Sequence, residues 1–321
     1  MNLTSRYLTI LLKLIKKFYG LFHNNNKLIK SDFTIPDDYD SSNRIIKELI
    51  LSDKPFMLAR LGGTELTCIS NYLSIKLKVS VLSFIKGKSF LPWWDFKILQ
   101  QMKKWSGFYP STPEMANLFS EMMIKDSLNV DILASHSPME DFLKNQLISS
   151  TKFSFFQIEP FFSTNPWTAA LENKNVLVIH PCAEDIKAQY LIKNLVHENN
   201  LLPDFNLITF EAVQSLGGSN EFSNWFEALN FMKNNIKKIN FDVAIIGCGA
   251  YGFPIASFVK DLGKQAIHLG GVTQILFGIK GKRWENDKLQ NYQELMNEHW
   301  IKPSPNYKPS NSNDVENGCY W

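Results

Sequence analysis

Phe241-Asp-Val-Ala-Ile-Ile-Gly-Cys-Gly-Ala-Tyr-Gly252 is an apolar run closed by three glycines. Phe241–Ile246 reads as a strand buried on both faces, because no polar residue alternates along it after Asp242. Phe253–Leu262 follows with helical spacing, and Gly263 sits where a helix C-cap glycine belongs. The same pattern recurs on either side. Upstream, Asn175-Val-Leu-Val-Ile-His180 is a strand, Glu184–Asn199 a helix and Leu207–Glu211 a second strand. Asn224–Ile239 is a second helix, with Trp225, Phe226, Leu229, Met232 and Ile236 on one face. Downstream, Gln265-Ala-Ile-His-Leu269 is a fourth strand. Apolar strands alternating with amphipathic helices predict an α/β fold with a parallel Rossmann-like sheet in the C-terminal half.

Ligands of open α/β sheets bind outside the carboxyl ends of the strands, so those ends name the candidate site. They are His180-Pro181, then Glu211 with Gln214 and Gly217-Gly218, then Gly247–Gly252, then His268 with Gly270 and Gly271. Gly247, Gly249, Tyr251 and Gly252 lie within a GxGxxG run whose backbone N–H groups suit a phosphate at a helix N-terminus. The run follows the third strand of its unit rather than the first. The acidic residue expected about twenty positions on is replaced by His268, which argues against NAD. Lys280, Lys282 and Arg283 form a cationic loop suited to a diphosphate, or a solvated basic turn. His180 and His268 are each candidates for general base or for a hydrogen-bonded core residue.

The N-terminal half is less patterned. Val79–Phe84, Val130–Ala134 and Phe153–Pro160 read as strands, and Trp93–Trp105 and Pro113–Ile124 as helices. Pro55–Gly63 is a strand running into the double glycine Gly62-Gly63. Thr64 is placed to cap the next helix, and Glu65 sits in its first turn. Arg60 and Glu65 form a second candidate site, with Arg60 pairing Glu65 or binding phosphate. A first-turn carboxylate also simply complements the helix dipole.

A net charge of +3, from 34 basic and 31 acidic residues, excludes a dedicated nucleic-acid binder. Cys68, Cys182, Cys248 and Cys319 form no CxxC pair, which fits buried thiols in a reducing cytoplasm. Leu8–Phe22 is too short an apolar run to span a bilayer. On a helical wheel Lys13, Lys16 and Lys17 fall within about 100° of arc. That helix suits peripheral contact with the inner face of a membrane, or packing on the body or another subunit. The chain divides into helix and linker (1–41, the linker being His23–Ser41), an N-terminal α/β region packed against the sheet (42–170), and a Rossmann-like nucleotide-binding region with a C-terminal tail (171–321).

Arg60–Glu65, Glu159-Pro160, Pro166-Trp167, Val178–Pro181, Asp242–Pro254, Lys264–Gly271, Gln274–Trp284 and Gly318-Cys-Tyr-Trp321 resemble an uncharacterised bacterial family met with surface-polysaccharide genes. More distantly, the chain resembles the GT-D class of glycosyltransferases, which carries an Arg-x-Gly-Asp-Gly-Glu turn and a later strand ending Asp-Ile-Gly-His. Here these read Arg60-Leu-Gly-Gly-Thr-Glu65 and His268-Leu-Gly-Gly271. Gly63 stands at the aspartate, His268 at the later aspartate and Gly271 at the histidine. The resemblance implies a GT-D-like fold and transfer from a nucleotide-sugar donor to a glycan or lipid-linked acceptor in capsule or O-antigen assembly. With Gly63 at the aspartate it leaves metal dependence open, Glu65 being the candidate ligand of a divalent cation, Mn2+ or Mg2+. Two other readings stand beside it: a different sugar- or nucleotide-modifying transferase using His180 or His268 as base, and a non-catalytic membrane-associated assembly protein.

Overall fold

The computed structural model describes residues 3–22, 38–197, 199–215, 221–287, 290–309, 318 and 320–321. In chain order the elements are α1 (Leu3–Phe22), α2 (Tyr39–Leu51), β1 (Phe56–Ala59), α3 (Gly63–Lys76), α4 (Val81–Ile85), α5 (Phe96–Ser106), α6 (Pro113–Asp126), β2 (Ile132–Ser135) and β3 (Thr151–Ser154). Then come β4 (Asn175–His180), α7 (Ala183–Leu191), α8 (Lys193–Val196), β5 (Asn206–Glu211), α9 (Trp225–Ile236), β6 (Val243–Ile246), α10 (Gly252–Asp261), β7 (Gln265–His268), α11 (Thr273–Leu276) and α12 (Lys282–Glu285).

All seven strands form one sheet in the order β3-β2-β1-β7-β6-β4-β5, and every pairing is parallel. The expected parallel sheet is therefore present, and it is larger than expected. The N-terminal strands extend it edge to edge instead of packing against it. The seam is β1 with β7, in the register Phe56↔Gln265 and Leu58↔Ile267. Gln265 stitches that seam, its amide nitrogen donating to the carbonyls of Leu49, Ile50 and Lys54 at 3.2, 3.1 and 3.2 Å. The amide nitrogen is thereby satisfied, whereas Oε1 is buried with no partner, so the side chain still carries part of its burial cost.

Both faces of the sheet are covered, as continuous apolar strands require. Met57, Ala59, Leu177, Ile179, Ala244 and Ile246 face one core, with Trp225 and Met232 from α9 and Ile255 from α10. Phe56, Leu58, Val176, Val178, Val243 and Ile245 face the other, with Ile46 and Ile50 from α2 and Ile186 from α7. Alternate residues of one strand thus feed opposite cores.

Several local expectations differ from the structure. Val79–Phe84 forms no strand: Ser80 caps α4, accepting the Ser83 N–H at 3.1 Å. The apolar residues of α4 serve a small cluster of Phe84, Leu91 and Leu12 instead of the sheet. A run of six apolar-rich residues does not distinguish helix from strand by period. Thr64 caps nothing, because α3 begins a residue earlier with Gly62 as its N-cap. The Glu184–Asn199 helix breaks at Ile192 into α7 and α8. Phe153–Pro160 is extended only to Ser154, where β3 ends. The expected linker ends early, since α2 starts at Tyr39 behind the cap Asp38. The rest of that linker from residue 23 to 37, together with Gly217-Gly218 and Cys319, lies outside the described residues. Cys182 and Cys248 are free and buried as expected, Cys68 is free and buried as well, and burial pushes the Cys68 and Cys182 thiols up to about 12.

Candidate active site

An all-parallel sheet puts the carboxyl ends of all its strands along one edge. A cavity of about 450 Å³ opens there, and each strand contributes to its wall. Arg60–Glu65 follow β1, His136 follows β2 and Phe155 follows β3. His180–Cys182 follow β4, Gln214 follows β5, Gly247, Gly249 and Ala250 follow β6, and His268, Gly270 and Gly271 follow β7. Trp105 and Ser106 at the end of α5, Gln274, Arg283, Tyr320 and Trp321 complete it. The N-terminal turn and the C-terminal strand ends thus share one wall, because β1 and β7 are neighbours.

Arg60 is the most unusual of these residues. It is 7% exposed, and its Nη1 donates to the Leu269 carbonyl. The guanidinium lies 3.8 Å over the Phe155 ring. Its nearest carboxylate, Glu159 Oε1, is 3.8 Å from Nη2, too far for a hydrogen bond. Nε and Nη2 are consequently buried with no partner, as is Glu159 Oε1. Burial pushes Glu159 up to about 7, against the opposing pull of Arg60 and of the Tyr292 hydroxyl, which donates to Oε2 at 2.7 Å. Arg60 is thus a cation of the cavity lining with two partnerless nitrogens, each less than 1 Å² accessible, so an anion pairs with them only as the wall shifts to admit it.

The glycines let the two central turns crowd against this arginine. A Cβ on Gly247 would stand 2.5 Å from Thr273 Oγ1 and 2.7 Å from the Gly270 carbonyl. A Cβ on Gly270 would reach Arg60 Cδ at 3.2 Å. Gly247, Gly270 and Arg60 therefore form one contiguous surface. Gly249 adopts φ +58° and faces open space. Gly271 backs onto Tyr320 and Trp284, 2.9 and 3.2 Å from where its Cβ would be.

Not every sequence candidate reaches the cavity. Tyr251 turns inward, stacked on Trp225 at 4.6 Å between ring centres and 5° between planes. Gly252 sits behind the wall, where a Cβ would meet His268 Nε2 at 2.4 Å. Glu211 is exposed and does not line the cavity. Of the cationic loop, Arg283 reaches the cavity and Lys280 and Lys282 do not. Arg283 Nη1 donates to the Tyr320 hydroxyl at 3.0 Å, which holds it at the rim.

Glu65 is buried, and its Oε1 accepts the Ser106 hydroxyl at 2.6 Å. Desolvation raises its pKa, so the proton is held more tightly than in water. Oε2 folds back over Gly62, whose Cβ would lie 1.8 Å away, so a larger residue there would push the Glu65 carboxyl aside. Gly63 faces open space and supplies no ligand. Among the described residues no group of three or more His, Cys, Asp or Glu side chains could hold a metal. Glu65 is thus not part of such a group, and the arginines of the cavity lining are Arg60 and Arg283.

His180 and His268 are each 5% exposed. His180 Nδ1 accepts the Cys182 N–H at 3.0 Å. Burial pushes both rings down to about 3, with the neighbouring Arg60 charge adding to the effect at His268. Both therefore stay neutral in the folded state, whereas an unfolded histidine takes up its proton near 6.5. Their contribution to stability is present above about pH 6.5 and is lost as pH falls toward 3, at about 1.4 kcal/mol per pH unit for each ring. Glu159 runs the opposite way, its contribution being lost as pH rises toward 7. Long-range 1H–15N spectra are expected to show both rings in the neutral pattern throughout about pH 5 to 8. Titration of either near 6.5 would contradict this burial.

One titratable group of the cavity lining that sequence reading missed is His136. Its side chain is 30% exposed, with Nδ1 3.6 Å from Glu140 Oε1. The ring packs on Phe155 at 4.7 Å. Glu140 is locked by the Ser135 hydroxyl and by the N–H groups of His136 and Ser137. Desolvation lowers the His136 pKa, against the pull of Glu140. The signal was present: Ser137-Pro-Met-Glu140 is a capping-box pattern directly after an apolar strand, which places His136 on a strand end. Phe155, Trp105, Ser106 and the Glu159–Tyr292 pair were also missed, and no local motif marks them. No family model, curated protein or solved structure matches the chain.

Proposed function

We propose that the protein is a glycosyltransferase that takes a nucleoside-diphosphate sugar into this cavity. The observation that carries the reading is Arg60, buried beside two glycine turns with two N–H groups unspent. The diphosphate lies against Arg60 and the Gly247–Gly249 backbone, ahead of α10, with Arg283 closing the rim. Trp105, exposed at the end of α5, offers a flat face to a sugar or base ring. Glu65 hydrogen-bonds a sugar hydroxyl. His136, with Nδ1 toward Glu140, leaves Nε2 to accept the proton of the acceptor hydroxyl. The acceptor oxygen bonds to the anomeric carbon as the bond to the diphosphate breaks, and the electron pair leaves on the diphosphate oxygen. Arg60 stabilises that charge where a metal would in other transferases. Capsule or O-antigen assembly is the setting suggested by the sequence resemblance.

Calorimetry with UDP- and GDP-sugars tests the reading. Binding is expected, and it is expected to survive a chelator, because the charge is met by Arg60. Failure of the whole panel to bind would overturn it. His136 and Glu140 favour an acid–base transferase of some kind even if the donor proves not to be a nucleotide sugar.

A further inference from the structure

α1 is turned inside out. At roughly 100° per residue, Ile10, Leu14, Tyr7, Phe18, Leu11 and Leu8 lie on one continuous arc of about 160°. All six are 45% or more exposed, and Leu21, Phe22 and Ile15 fill in the same arc. The opposite side faces the body. Leu12 packs on Phe84 and Leu91, and Thr9 accepts the Trp93 indole N–H at 3.0 Å. Lys13 pairs with Asp95, and Lys16 lies 4.6 Å over the Phe84 ring. A helix of a soluble domain normally turns its apolar stripe inward. Here the fold uses the lysines to hold the helix and leaves the apolar arc outside.

The charge of the segment that carries α4 and the Asp95 turn, against which α1 packs, identifies the occupant. Between Leu66 and Pro113 the chain carries seven lysines, all exposed, and a single acidic residue, Asp95, which Lys13 neutralises; Glu121 of α6 joins them beside Lys76, accepting the Tyr72 hydroxyl at 2.6 Å. α1 adds Arg6, Lys13, Lys16 and Lys17 and no carboxylate. The two segments together hold eleven basic residues against one acidic, while the whole chain is only +3. The remaining residues are therefore at −7. Two copies docked through this face would bring like charges together. An apolar arc set in a cationic field matches acyl chains beneath anionic headgroups. No helix among the described residues is long and apolar enough to cross a membrane, so α1 lies in the surface.

We propose that α1 and the lysines around it seat the protein on an anionic lipid surface. α5 connects this surface to the cavity: its N-cap Asp95 holds Lys13, and its last residue, Ser106, lies on the cavity wall. At 1.5 Å per residue the two points are about 16 Å apart. That places the cavity within reach of a substrate held by a lipid, a consequence that rests on the proposed reaction, whereas the docking itself does not.

The test is co-sedimentation of the full chain with vesicles of phosphatidylcholine, with and without phosphatidylglycerol. Binding to the anionic vesicles is expected to be about tenfold or more tighter and to weaken with salt. Leu14→Ser with Phe18→Ser is expected to abolish it while leaving the melting temperature unchanged. Lys86→Glu with Lys88→Glu is expected to remove the preference for phosphatidylglycerol. The proposal is overturned if the native chain ignores both vesicles. It is overturned equally if the chain forms a concentration-dependent dimer that the Leu14/Phe18 variant dissociates, since a second copy would then cover the arc. Loss of nucleotide-sugar binding with intact vesicle binding would count against the proposed reaction alone.

Discussion

Arg60→Met is expected to reduce affinity for a nucleoside diphosphate by a hundredfold or more. Methionine retains an unbranched stem against Phe155 and Gly270 and removes the charge together with the Nη1 donor to the Leu269 carbonyl. Each charge-assisted hydrogen bond is worth about 1.5–3 kcal/mol, and two unspent N–H groups are at stake. The same change strips Glu159 of its cation. Losing one partner of a buried pair costs about 3–5 kcal/mol. The cost is smaller here, because Glu159 is already pushed up to about 7 and can take a proton. Without Arg60, which pulls that pKa down, it rises further. Stability held by the protonated carboxyl is present at low pH and is lost as pH rises through the folded pKa. The deficit of Arg60→Met is therefore expected to grow above about pH 7. Arg60→Met with Glu159→Gln is expected to recover most of the melting temperature and none of the binding. Recovery of both would show that Arg60 is merely structural.

The glycine turns separate packing from binding. Gly247→Ala drives a methyl to 2.5 Å from Thr273 Oγ1 and 2.7 Å from the Gly270 carbonyl. A backbone oxygen cannot move aside as a side chain can, so the β6 and β7 turns must part. A loss of about 1–3 kcal/mol is expected, read as a lower denaturation midpoint. Gly249→Ala meets nothing within 4 Å. Its cost is the left-handed φ alone, about 1–2 kcal/mol. Its methyl projects from a residue on the cavity wall, so affinity for the diphosphate is expected to fall by more than stability. If Gly249→Ala bound as well as the native chain, the phosphate would lie elsewhere.

The C-terminal half of the sheet was legible because β4, β6 and β7 are uninterrupted apolar runs and α9 and α10 have clear periodicity. The seam between β1 and β7 was not. It pairs residues about two hundred positions apart, and local pattern says nothing about such register. The one trace was Gln265, a polar side chain in a strand whose amide nitrogen must find backbone carbonyls outside the sheet. Most of the candidate site followed from the rule that strand ends carry it. The exceptions have physical causes. Tyr251 points inward because Trp225 offers a flat apolar surface, and loop spacing cannot report that. Lys280 is held away by its backbone N–H, which donates to the Ile301 carbonyl. His136 was overlooked because β2 is short and its turn carries no glycine. In α1 the wheel separated the lysines from the apolar residues, but only Asp95 and Trp93 determine which side turns inward.

A crystal structure of the protein soaked with UDP or GDP in the presence of chelator is the most direct measurement. Diphosphate density is expected between Arg60 Nε and Nη2 and the backbone of Gly247–Gly249, with no metal ion bridging it. Density elsewhere on the molecule, or a diphosphate that binds only when Mn2+ is restored, would contradict an arginine-centred anion site at the strand ends.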